Sequence, residues 1–144
     1  MPPKDDPPQQ HELALDVNEA RVRVAAALDV ATVVLFVTIG RRNHDEGSAI
    51  GEGFRIAAPF LIGLAAGWLV ARAWHRPFDI SVGAVSWAVT IVLGMVLRRT
   101  IFDRGTAPSF VVVAAVFTGV ILLGWRLAAR RIMHRATHRL THQN

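Results

Sequence analysis

The chain contains no cysteine. That excludes a disulfide framework, a thiolate nucleophile and a cysteine-ligated metal. It also lacks a Gly-x-Ser-x-Gly elbow, a Walker loop, a dinucleotide fingerprint and a His-Glu-x-x-His pair. No nucleophile–base set stands out, so neither an enzyme nor a cofactor is expected. The proline-rich, charged opening MPPKDDPPQQHELALDVNEA has no positive start followed by an apolar core and a small-residue cleavage site. It does not read as a cleavable signal peptide.

Charge is also scarce over long stretches. Ile80 to Leu97 and Phe110 to Trp125 carry none, and Ile56 to Ala73 carries only Arg72. Val22 to Gly40 carries Arg23 at its start and Asp29 within. Each run approaches the ~20 residues that cross a bilayer as a helix. In a chain of 144 residues four such runs do not fit as surface helices of a soluble domain. The expected fold is all-α: a polytopic membrane bundle with four transmembrane helices at about 22–40, 54–74, 80–98 and 108–127. Residues 1–20 read as a disordered or amphipathic terminus, and 130–144 as a basic tail.

The formal net charge of +5 does not point to nucleic acid, because the arginines flank the apolar runs or sit in the tail. Anionic lipid headgroups account for that placement. Four crossings put both termini on one side. With the central loop, that side holds Lys4, Arg21, Arg23, Arg72, Arg76, Arg126, Arg130, Arg131, Arg135 and Arg139. The other side holds Arg41, Arg42, Arg55, Arg98, Arg99 and Arg104. The excess predicts both termini in the cytoplasm, and the plasma membrane is the expected location. Trp74 and Trp125 suit an interfacial belt, while Trp68 and Trp87 fall deeper.

The runs echo one another. TVVLFVTIGRRNHDEG (Thr32 to Gly47) resembles TIVLGMVLRRTIFDRG (Thr90 to Gly105), and GLAAGWLVAR (Gly63 to Arg72) resembles GVILLGWRLAAR (Gly119 to Arg130). A duplicated two-helix hairpin gives copies in parallel orientation, related by an axis along the membrane normal. The duplication puts Arg41, Arg42 and His44 at the same end as Arg98 and Arg99, forming a rim that attracts anions or headgroups. The plainer alternative is a set of solvated, snorkelling arginines.

The echo is most informative where it breaks. Asp29 aligns with Trp87, and Arg126 aligns with Leu69. A carboxylate within an apolar helix costs about 2.5–3.5 kcal/mol on insertion scales unless it finds a partner. Asp29 shares a helical face with Ala25, Ala26, Thr32, Val33, Phe36 and Gly40. An Asp29–Arg126 ion pair between the first and last helices is therefore expected. The competing reading makes Asp29 a proton or cation site in a small oligomeric transporter or channel. Gly63 and Gly67 form a GxxxG, which permits close helix packing within the bundle or between protomers of a homo-oligomer. Pro108 is placed to start the last helix, and Pro59 sits deeper within the second. His134, His138 and His142 share a helical face, but the arginines around them favour a basic helix at the headgroups over a metal site.

Taken in order, Asp29, FVTIGRRNH, APFLIGLAAGW, SWAVTIVLGMVLRR, SFVVVAAV and LLGWR resemble the bacterial and archaeal membrane family known as domain of unknown function 3054. The likeness runs from about Leu28 to Arg126. Its most specific elements are Gly-Arg-x-x-His at Gly40 and Gly-Trp-Arg at Gly124. The resemblance implies a small four-helix integral membrane protein and assigns no substrate, cofactor or catalytic residue. The function expected is that of a structural or interaction membrane protein whose partners are anionic lipids.

Overall fold

The computed structural model describes residues 7–41, 49–102 and 107–141, with side chains over 13–40, 53–102, 107–133 and at 135. These residues form four helices: α1 (Pro7–Arg41), α2 (Ala49–Ala71), α3 (Ile80–Thr100) and α4 (Pro108–Thr141). Each is long and apolar enough to cross a membrane, over Leu13–Gly40, Gly53–Ala71, Ile80–Thr100 and Pro108–Met133. Apolar side chains such as Val92, Val120 and Leu69 face outward, while Ser86, Thr90 and Thr118 are buried. That distribution suits a lipid surround. Thr90 and Thr118 donate to the carbonyls of Ser86 and Ala114 one turn back, at 2.6 and 2.5 Å. The two threonine hydroxyls are thereby met, while the buried Ser86 hydroxyl has no hydrogen-bond partner.

Local chemistry sets most of the ends. Pro7 and Pro108 occupy first helical positions, where a missing N–H costs nothing. α2 ends in a Schellman motif. The Ala73 amide donates to the Trp68 carbonyl at 3.0 Å and the Arg72 amide to the Leu69 carbonyl at 3.2 Å. Arg72 takes the left-handed conformation between them, with φ 49°. Asp79 precedes α3 as N-cap in extended conformation, and its carboxylate makes no capping bond.

The outer helices exceed their expected lengths. α1 has 35 residues and α4 has 34. At 1.5 Å per residue each is roughly 50 Å long, beyond the ~30 Å hydrocarbon core. Residues 7–20, expected as a disordered or amphipathic terminus, are helical. Their Gln, Glu, Leu and Ala are good helix formers, continuous with a helix already nucleated in the apolar run. The basic tail is likewise helical to Thr141, since neither Gly nor Pro follows Gly124.

α1 and α3 each pack on both α2 and α4, and the α2–α3 interface is the most extensive. Glycines explain that closeness. A Cβ at Gly63 would lie 2.8 Å from the Thr90 carbonyl oxygen, and one at Gly67 would lie 2.7 Å from that of Ser86. At Gly94 it would meet the Phe60 ring at 2.8 Å. The GxxxG therefore acts inside the bundle, seating backbone on backbone. The half of the bundle away from the termini is filled by aromatic rings. Phe36 meets Phe60, Phe110 and Phe117 at centroid distances of 5.7, 5.8 and 5.8 Å.

Candidate functional site

The other half of the interior is polar and charged. Asp29 on α1 and Arg126 on α4 are both 0% exposed. Arg126 Nη2 donates to Oδ2 at 2.7 Å and Nη1 to Oδ1 at 2.9 Å. This is a bidentate fork on the carboxylate, the strongest pairing the two groups can form. Two indoles complete it: Trp68 Nε1 donates to Oδ2 at 2.9 Å and Trp125 Nε1 to Oδ1 at 3.0 Å. Each carboxylate oxygen thus accepts twice, which uses its full lone-pair capacity.

Every nitrogen of the guanidinium also donates, filling four of its five N–H positions. Its Nε donates to the Pro77 carbonyl at 3.1 Å, in the α2–α3 loop, and Nη1 also reaches the Leu122 carbonyl at 2.9 Å. The guanidinium carbon lies 4.3 Å over the Trp125 ring. Phe78 abuts that ring edge-on at 5.5 Å. Gly83 of α3 makes room, since a Cβ there would come within 2.6 Å of Arg126 Cδ. The network therefore ties α1, α2, α4 and the α2–α3 loop together, with α3 shaped around it.

Burying either charge alone costs several kcal/mol, and their attraction offsets this only when the geometry and remaining hydrogen bonds are good. Here both conditions hold. Trp125 takes no part in an exposed interfacial belt of the kind the sequence suggested. It is half-buried, with its N–H committed to Asp29, while Trp74 is exposed. Trp87 donates to the Ala115 carbonyl at 2.9 Å and lies against Gly119. Leu69, the echo partner of Arg126, is exposed. The roles of Trp68, Trp125 and the Pro77 carbonyl were not read from the sequence. The signal lay in the echo, which aligns Gly67-Trp68 with Gly124-Trp125.

The arginine rim is placed only in part. Arg98 is half-buried with its guanidinium 4.2 Å over Phe110, and Arg99 is exposed. Arg41 ends α1, with its side chain outside the described residues, as are Arg42 and His44 altogether. The side chains of His134 and His138, and the whole of His142, also lie outside them.

Residues 26–129 match the family described as Protein of unknown function (DUF3054). The chain belongs to this family. The matched segment opens just before Asp29 and closes just after Arg126, so the whole buried network falls inside it. No curated protein and no solved structure matches the chain.

Proposed function

We propose that this DUF3054 member is a structural or interaction protein of the plasma membrane, without enzymatic activity, carrying both termini in the cytoplasm. Its partners on this reading are anionic lipids, met by Arg41, Arg42, His44, Arg98 and Arg99 at the outer end, and further copies of itself. The observation that carries the reading is the saturated Asp29 carboxylate. Four donors between 2.7 and 3.0 Å surround it, and neither it nor Arg126 has any surface that water touches. A proton- or cation-carrying acid faces a water-filled cavity or a relay of other polar groups. A carboxylate held this way acts as a tie between helices.

Reconstitution tests the reading. The purified chain and its Asp29→Asn variant are placed in liposomes holding a pH-sensitive dye, and a pH step and a potassium-diffusion potential are applied. The proposal expects both to leak no faster than empty liposomes. Flux through the wild type that Asp29→Asn abolishes would establish the transporter reading instead. Single cysteines introduced near each terminus into this cysteine-free chain, probed with an impermeant maleimide on intact cells, report the orientation.

A further inference from the structure

Directly above the buried network, on the face where the termini lie, is an open groove of about 320 Å³. That is the lower end of the range for small-ligand clefts, about 300–1,000 Å³. Three arginines line it, each from a different element: Arg21 from α1, Arg76 from the α2–α3 loop and Arg130 from α4. His75 and Asn18 add polar groups, and Phe78 and Met133 add apolar wall. Among its lining residues the only carboxylate is Asp79, 3.8 Å from Arg130 and partly exposed. Three arginines against one aspartate give the groove a formal charge of +2.

We propose that this groove binds a phosphate-bearing anion. Three separate observations support it. Arginines from three unconnected segments line one concavity, and each carries the planar donor fork that suits a phosphate. Asp79 caps α3 without using its carboxylate on the first-turn amides, so the positive end of α3 also faces this loop. The groove's floor is fixed from below, because Arg126 holds the Pro77 carbonyl and Trp125 abuts Phe78. The site is independent of the outer arginine rim, at the opposite end of the bundle. Asn18, Arg21, Arg130 and Met133 lie outside the matched family segment, so the site depends on the long ends of α1 and α4. Its position at the edge of the spans gives two sources for the same chemistry, a phosphodiester lipid headgroup or a soluble phosphate.

Native mass spectrometry of the full chain in neutral detergent, titrated with phosphatidylglycerol and with phosphatidylcholine, tests the lipid source. Calorimetric titration with inorganic phosphate tests the soluble one. The expected result is tight retention of either the anionic lipid or phosphate, weakened at least about tenfold by Arg21→Gln/Arg76→Gln/Arg130→Gln, each arginine near an anionic surface being worth about fivefold. Arg55→Gln, at an exposed arginine outside both the groove and the outer rim, leaves it unchanged. Asp79→Asn removes the competing carboxylate and tightens binding several-fold, a gain that misfolding cannot produce. Equal retention of both lipids with no phosphate binding overturns the proposal. So does a triple variant that binds as the wild type does, an equal loss in the Arg55→Gln variant, or an Asp79→Asn variant that binds no more tightly.

Discussion

Trp68 and Trp125 donate their indole N–H groups to the two oxygens of one carboxylate, at 2.9 and 3.0 Å. They are also the echoing tryptophans of the two hairpins, each directly after a glycine. Equivalent positions on α2 and α4 thus flank a single acid on α1. The two halves meet at a residue that the echo itself does not repeat.

Removing either member of the ion pair leaves the other buried without its counter-charge. Asp29→Asn and Arg126→Gln are each expected to lower stability by about 3–5 kcal/mol. The double variant should lose distinctly less than the sum, with a coupling above about 1 kcal/mol. Unfolding of the four proteins in detergent checks this. Strict additivity would show that the contact contributes no stability of its own.

The indoles should matter separately. Trp68→Phe and Trp125→Phe keep most of the ring packing and delete one hydrogen bond to a charged acceptor. Each is expected to cost about 1–2 kcal/mol, the lower part of the range for such bonds because membrane hydrogen bonds measure weak. Trp125→Phe should cost more, since Arg126 also stacks on that ring. Equal losses in the two variants would remove the stacking from the account.

The glycines divide into two kinds. Gly63→Ala and Gly67→Ala force a Cβ to within 2.8 and 2.7 Å of backbone on α3, which cannot yield as a side chain does. A loss of about 1–3 kcal/mol is expected from the overpacking. At Gly124 nothing lies within 4 Å of the added carbon, so Gly124→Ala should be neutral or stabilise by up to about 1 kcal/mol through helix propensity. Thermal unfolding midpoints of the three variants should move in these opposite directions.

Arg72 adopts a backbone conformation that favours glycine, φ 49°, to close the Schellman motif ending α2. Arg72→Gly should relieve about 1 kcal/mol of this strain. A lower midpoint for this variant would show that the arginine side chain stabilises the turn by more than its backbone costs.

Much of this was legible in the sequence, for physical reasons that can be named. Hydrocarbon demands long uncharged runs, so the four crossings stand out in composition alone. A buried acid demands a counter-charge, so Asp29 pointed to Arg126. The lengths of α1 and α4 were not legible, because apolar runs report where lipid ends and say nothing of where a helix does. The indole donors were hidden because tryptophan near a membrane boundary reads equally well as a headgroup anchor. The groove was hidden because Arg21, Arg76 and Arg130 are far apart in sequence and meet only when the helices close.

The separation of Asp29 from Arg126 also has a meaning in time. The two are 97 residues apart, and Trp125 comes with the same late segment. At synthesis rates of about 5–20 residues per second, Asp29 emerges roughly 5–20 s before its counter-charge exists. During that interval the first helix carries an acid for which hydrocarbon offers no partner. Trp68 brings one donor midway, and the last helix brings the other three contacts together. The bundle therefore closes from its final segment. A nascent chain stopped short of α4 would keep an acid without its counter-charge, a mark by which incomplete copies differ from finished ones.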